Sequence, residues 1–183
     1  MRLTLVRHPK PDIAPGLCYG RTDLAVTPGQ LAQTLAALHP ALPADAILYG
    51  SPLQRCRTLA LALAELRGGT APIIDARLVE MDFGAWEMRP WETIARAEID
   101  AWAADLAGYR PGGGETVLEM AARVAAFLAD VQRQQRNAIV ISHAGTMRLL
   151  AACQAGLPLR ETALRAAQHA HTIPYGGTLV LDL

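Results

Sequence analysis

The feature that most constrains this fold is a short apolar run that stops at chemistry-bearing residues, and that recurs along the chain. Leu3-Thr4-Leu5-Val6 ends at Arg7-His8, Ala46-Ile47-Leu48-Tyr49 leads to Arg55, and Ala138-Ile139-Val140-Ile141-Ser142 ends at His143. Runs this short, without polar alternation, have the pattern of strands buried on both faces. Helical signals lie between them. Thr27-Pro28 combines a side-chain cap with proline at the first helical position, which predicts a helix to about Leu38. Ser51-Pro52 repeats the signature and predicts a helix from Pro52 to about Leu66, rich in leucine and alanine on its inner side. Strands alternating with helices predict an α/β fold, a three-layer sandwich with a mostly parallel central sheet and helices on both faces.

The remaining segments fit that frame. The stretch from Pro9 to Gly29 is too rich in proline and glycine for long regular elements and reads as a loop over the strand edge. Gly68-Gly69 ends the second helix, and Pro72-Ile73-Ile74-Asp75 is a short strand candidate. Residues 80 to 110 hold all three tryptophans, Trp86, Trp91 and Trp102, without a strand signal. They read as a helical excursion over the active site, so that 80–115 is a candidate lid within one 1–183 domain. Gly112-Gly113-Gly114 reads as a flexible loop, since the Lys-Ser/Thr of a phosphate-binding P-loop does not follow it. Val117, Met120, Val124, Phe127 and Val131 fall at helical spacing and predict a core-facing stripe. A helix from about Gly145 to Ala155 and a closing strand over Thr178-Leu179-Val180-Leu181 complete the pattern.

Composition narrows the function classes. Lysine plus arginine equals aspartate plus glutamate at 17 each, and the isoelectric point is near 7.0, which offers no support for nucleic-acid binding. The cysteines Cys18, Cys56 and Cys153 are odd in number and widely spaced, which suits a reducing cytosol better than a disulfide framework. Met1-Arg2-Leu3 runs straight into the first strand without a secretory pattern, and no stretch is long and apolar enough to span a membrane. A cytoplasmic enzyme acting on a small molecule is the expectation, with a homo-oligomer compatible.

Two arginines and two histidines converging on one sheet edge predict a phosphate site. Phosphoryl transfer needs an in-line nucleophile, positive donors around the phosphate oxygens and an acid for the leaving group. A neutral imidazole is a suitable nucleophile, and His8 stands where one is needed. Arginine binds phosphate oxygens through two N–H groups at once, which suits Arg7 and Arg55. Arg55 is expected about one turn into its helix, near the positive end, with Arg57 facing solvent. His143 precedes Ala144-Gly145, whose backbone N–H groups could also hold a phosphate oxygen. For the acid, Glu80 and Asp82 point to the same side of an extended segment and Glu87 is close by, so spacing alone does not choose among them. His169 and His171 could mimic a metal pair, but no third ligand is evident, and neither metal nor cofactor is expected. His39 before Pro40 reads as a helix-end residue, and the first loop carries no dinucleotide-binding glycine fingerprint.

These motifs resemble the histidine phosphatase superfamily, also called phosphoglycerate mutase-like. Leu5-Val6-Arg7-His8-Pro9 matches its Arg-His-Gly box, Ser51-Pro52-Leu53-Gln54-Arg55 its Ser-Pro-Leu-x-Arg segment, Glu80-Met81-Asp82-Phe83-Gly84 its Glu-x-x-x-Gly element, and Ser142-His143-Ala144-Gly145 its second-histidine segment. The resemblance implies that His8 is the phosphorylated nucleophile, that Glu80 is the proton donor, and that Arg7, Arg55 and His143 form the phosphate pocket. A finer similarity, to the α-ribazole phosphatase subfamily, rests on Cys18-Tyr19-Gly20-Arg21-Thr22-Asp23-Leu24, on Glu80 to Glu87 and on Pro111 to Glu115. It implies removal of the 5′-phosphate of α-ribazole phosphate in cobalamin biosynthesis, with Gly20, Arg21 and Ala144 among the binding residues. A phosphatase of another sugar phosphate, nucleotide or phosphoprotein is the alternative, and a non-catalytic phospho-ligand module a third. The family's glycine after the nucleophile is Pro9 here, which removes a backbone N–H. Lys10-Pro11-Asp12 also lacks the family's threonine and downstream asparagine, and Lys10 or Arg21 is the candidate replacement.

Overall fold

The computed structural model describes residues 1–168 and 173–183. Its center is a five-stranded sheet of order β3-β2-β4-β1-β5, made of β1 (Arg2–Arg7), β2 (Ile47–Gly50), β3 (Ile73–Ile74), β4 (Ala138–Ser142) and β5 (Thr178–Asp182). All pairings are parallel except that of β5 with β1. The β4 strand is buried along its whole length, which is what its unbroken apolar sequence requires of a central position.

Helices α1 (Pro28–Leu38) and α2 (Gln54–Leu66) cover one face. Helices α4 (Val117–Arg133), α5 (Ala144–Cys153) and α6 (Leu159–Gln168) cover the other. The α3 helix (Arg96–Ala104) lies in the excursion. Thr116 and Glu119 form a reciprocal capping box that starts α4. Its stripe Val117, Met120, Val124, Phe127 and Val131 is buried as the spacing predicts, each side chain contributing about 2 kcal/mol of burial. Thr27 caps α1 through the Gln30 N–H at 3.2 Å.

Register places the chemistry. Arg7 is opposite Ser142 and Gly50 opposite Ile141, so the carboxyl ends of β1, β2 and β4 finish side by side. The ladder extends one residue further, through His8 N to Ser142 O and Ser51 N to Ile141 O, both at 3.0 Å. Arg7-His8, Ser51 and His143 therefore leave the sheet together at one edge, where ligands of open α/β sheets bind.

Several expectations need correction. Helix α2 begins at Gln54, not Pro52, because Leu53 stays extended and the Ser51 hydroxyl is engaged elsewhere. Its first N–H is taken by Asp23 Oδ1, 2.6 Å away, so the cap comes from a distant loop. Arg55 is thus the second residue of the helix, closer to its positive end than expected. The excursion contains only one α-helix, the rest being 3₁₀ turns over Gly84–Trp86, Trp91–Thr93 and Pro111–Gly113. Gly112-Gly113-Gly114 is not a loose loop. Gly84 and Gly112 have φ of +52° and +58°, and a Cβ on either would collide with the backbone of the other strip. Gly84, Gly112 and Gly114 let two backbones touch, whereas Gly113, with open space beside it, is glycine for its φ of +76°. Helix α6 was not anticipated from sequence, although Glu161 in its first turn and Arg165 in its last are ordinary helix signals. His169 and His171 lie outside the described residues.

Candidate active site

His8 is 2% exposed, at the end of a central strand. Its Nδ1 lies 2.7 Å from the Pro9 carbonyl oxygen, which can only accept, so Nδ1 carries the hydrogen and Nε2 keeps a free lone pair. Burial, reinforced by the charges of Arg55 and Arg7 against the opposing Pro9 bond, lowers its pKa to about 3. The imidazole is neutral at any ordinary pH. Pro9 removes an N–H from the site, yet its carbonyl fixes the tautomer.

His143 is fully buried, its ring centroid 5.0 Å from that of His8. Its Nδ1 accepts from Arg55 Nε at 3.2 Å, and Nε2 donates to the Ser51 hydroxyl at 2.8 Å. Burial first, then His8 and Arg55, push its pKa well below the usual value. Neither nitrogen is left over for a ligand in this arrangement, and the ring is set behind Arg55 rather than in the cavity wall.

Arg55 is completely buried. Besides His143 it donates to Thr22 O at 2.7 Å and Gly20 O at 2.5 Å, which fixes its plane and leaves other N–H groups facing the cavity. A cation at the positive end of α2 is unfavourable on its own, and an anion bound there would offset it. Arg7 donates Nη1 to Ile173 O at 2.7 Å, while its Nε is buried with no hydrogen-bond partner among the described residues. An orphaned buried donor costs on the order of 1–3 kcal/mol, which a phosphate oxygen would recover.

The structure separates the carboxylates that spacing left together. Glu80 lines the cavity, with Oε2 accepting from Gly145 N at 2.9 Å and Oε1 from Met81 N at 3.1 Å. Gly145 is glycine because a Cβ would overlap that carboxylate. Asp82 turns to Gly84 N and pairs with Arg21 at 3.5 Å. Glu87 collects the N–H groups of Gly20, Arg21, Thr22 and Phe83, together with the Thr22 hydroxyl. Burial opposes its charge, but the Thr22 hydroxyl and these N–H groups hold its pKa below the usual range. It ties the first loop to the excursion.

Besides His143, two expected binding residues are therefore placed differently. The Gly20 N–H is taken by Glu87 and its carbonyl by Arg55, and the Arg21 guanidinium is 65% exposed and directed at Asp82. Neither lines the cavity, whereas Ala144 does. Lys10 is exposed. Sequence reasoning missed Arg148 and Tyr19 in the lining and Tyr175 beside Arg7. The turn from Gly145 to Arg148 on α5 was the available signal for the first.

The cavity has a volume of about 330 Å³. One end is formed by Arg7, His8 and Arg55, and the wall beyond Glu80 is apolar, with Met81, Phe83, Trp102, Val117 and Met120. Trp86, by contrast, is core, with no exposed surface and its indole N–H on Glu98 at 2.6 Å. Chemically this is a buried, donor-rich anion site containing a neutral nucleophile and one carboxylate at the boundary with an apolar chamber.

A sequence model of the family "Histidine phosphatase superfamily (branch 1)" matches residues 3–173. The chain is 32% identical over 160 residues to an adenosylcobalamin/alpha-ribazole phosphatase of Salmonella typhimurium, covering 83% of this chain and 78% of that protein. It is 27% identical over 168 residues to phosphoserine phosphatase 1 of Hydrogenobacter thermophilus, covering 88% and 79%. The crystal structure of the alpha-ribazole phosphatase from Shigella flexneri superimposes with a TM-score of 0.82 at 27% identity, covering all of this chain and 91% of that one.

Proposed function

The chain belongs to the histidine phosphatase superfamily, and from that footing we propose that it is a metal-independent phosphomonoesterase of α-ribazole 5′-phosphate, working through a phosphohistidine at His8. The observation that carries the chemistry is the tautomer of His8, with Nδ1–H held by Pro9 and a neutral Nε2 between two arginines. In the first step the Nε2 lone pair attacks phosphorus while the bond to the ester oxygen breaks, and Glu80, protonated, gives its proton to that oxygen. Arg7 and Arg55 carry the charge on the equatorial oxygens. In the second step Glu80, now a carboxylate, takes a proton from water. The hydroxide attacks phosphorus, the P–N bond breaks, and inorganic phosphate leaves with His8 neutral again. His143 acts by holding Arg55 in plane.

The choice of leaving group rests on the named relatives and on the wall beyond Glu80, where Phe83 and Trp102 offer aromatic surface to a flat base. A cavity of about 330 Å³ is near the lower end of small-ligand sites, about 300–1,000 Å³. The 80–115 segment covers the leaving-group side as a lid. One observation favours a second reading, an ester whose alcohol carries a carboxylate. Arg148 lines the apolar end, and its Nη2 is buried with no partner among the described residues.

Hydrolysis of α-ribazole 5′-phosphate, phosphoserine and a panel of sugar phosphates, with EDTA present and His8→Ala as control, tests both readings. Preference for the ribazole ester supports the first. Preference for phosphoserine, lost in Arg148→Gln, replaces it with the second. Activity that survives His8→Ala or needs a metal rejects the mechanism.

A further inference from the structure

Pro9 leaves no backbone N–H directly after His8, and of the candidate replacements Lys10 is exposed and Arg21 is directed at Asp82. Two tyrosines from distant loops stand in the right place. Tyr19 lines the cavity beside Arg55, whose guanidinium carbon is 5.6 Å from its ring centroid. Tyr175 lies against Arg7, guanidinium carbon to ring 3.9 Å, with its ring 5.6 Å from that of His8. Their hydroxyls are 2.7 Å apart.

Both positions are built. Gly20, next to Tyr19, gives its carbonyl to Arg55 and its N–H to Glu87. The turn carrying Tyr175 is fixed to the end of β1 by Arg7 N to Gly177 O at 2.9 Å and Gly176 N to Arg7 O at 3.1 Å. The phenol pair thus bridges two loops that already hold the two arginines.

Two hydroxyls that share one hydrogen bond spend one of their hydrogens on each other, and one is left to donate outward. We propose that Tyr19 is a phosphate-binding residue that replaces the missing N–H after His8, and that Tyr175 is its positioning residue, donating to the Tyr19 oxygen and stacking on Arg7. Tyr19 takes the outward role because it is the one that lines the cavity; Tyr175 is 38% exposed. Burial pushes the Tyr19 phenol above its ordinary range, so it remains a donor at every working pH. The stacked Tyr175 ring keeps the Arg7 fork edge-on to the phosphate.

The inference rests on the phosphate site proposed above, so the test reads binding rather than turnover. Calorimetric titration of the full-length protein with inorganic phosphate should give weaker binding by about tenfold in Tyr19→Phe, as for a lost hydrogen bond to a charged group. Tyr175→Phe should lose about threefold, from misorientation alone. The double variant should bind like Tyr19→Phe, because the orienting bond has no purpose once its target is gone. Tyr175→Ala should fall below Tyr175→Phe, which retains the ring on Arg7, with melting temperatures checked for all four. Phosphate affinity in Tyr19→Phe within about twofold of wild type would overturn the proposal, and so would losses that multiply in the double variant. If Tyr19→Phe is altered as expected but His8→Ala leaves hydrolysis intact, the phosphohistidine reading fails and this one stands. A wild-type protein that binds no phosphate overturns both.

Discussion

The strand-edge end of the cavity and the aromatic excursion meet at Glu80, and they are built on opposite principles. At the edge, each functional group is fixed by parallel register and by hydrogen bonds: His8 to Pro9, Arg55 to Gly20 and Thr22, His143 to Ser51. In the excursion the order comes from rings, with Trp91 and Trp102 stacked at 6.4 Å and Trp86 and Phe83 edge-on to Trp102. Hydrogen-bonded groups on strand ends are rigid and hold a reaction geometry. Packed rings are plastic, and exchanging one changes the shape of a wall without disturbing a charge. On the proposed function, chemistry and substrate choice are then separable in this molecule.

His8→Ala should strike one region only. Phosphatase activity should fall by about 10⁴-fold or more, with the fold retained, checked by turnover and by loss of an acid-labile phosphoenzyme. Glu80→Gln comes next, because it removes a proton carrier and not the nucleophile. Turnover of alkyl esters should drop by about 10²–10³-fold. An aryl phosphate, whose leaving group needs no proton, should still phosphorylate His8 rapidly and accumulate the intermediate. Equal losses for both ester types would break the assignment of Glu80 as donor.

The polar end also carries a pH liability that the aromatic end does not. His8 titrates at about 3 in the folded protein, against 6.5 for the free side chain, so below pH 6.5 the unfolded chain takes up a proton that the folded chain refuses. Stability is therefore full above pH 6.5 and is lost as pH falls from there towards 3. At pH 5 the penalty from His8 alone is about 2 kcal/mol, or about thirtyfold in the folding equilibrium. His143 acts in the same direction. Chemical denaturation at pH 7.5 and 5 measures this, and a flat profile would show that the imidazoles are not neutral for want of water. Activity should show no histidine limb near 6.5 as long as the protein stays folded.

The same contrast decides what was legible in the sequence. The buried strands announce themselves, and the residues that follow them are few, so the sequence alone assigns Arg7, His8, Arg55 and His143 to one edge. The Arg7–Ser142 and Gly50–Ile141 register is the reason. Spacing alone does not choose Glu80 over Asp82, although the family resemblance does, because the Gly145 N–H that fixes the Glu80 carboxylate is 65 residues away in the chain. Arg21 looked like a phosphate ligand because a charge in a loop has no visible partner until Asp82 folds against it. Glu87 shows the limit most clearly. A carboxylate that satisfies a whole loop of N–H groups is indistinguishable in sequence from a catalytic one. The Ser51-Pro52 cap signature misled for a related reason, since Ser51 serves His143 and a distant Asp23 caps α2. Local rules fail here where a tertiary partner outbids the local one.

The smallest effect is expected at Trp91, on the outer side of the aromatic wall. Trp91 is 39% exposed and does not line the cavity, but its ring lies nearly parallel to that of Trp102, at 6°, and backs the wall that does. Trp91→Ala should cost about 1 kcal/mol of stability, the value of an aromatic pair at a partly exposed site. It should raise KM about threefold for esters with a flat leaving group, as Trp102 gains freedom to tilt. Inorganic phosphate should inhibit the variant as it inhibits wild type, because no hydrogen bond at the strand edge touches the Trp91 ring. Equal changes in KM and in phosphate inhibition would mean that the wall and the anion site move together. The rings would then be part of the catalytic geometry instead of a plastic surround.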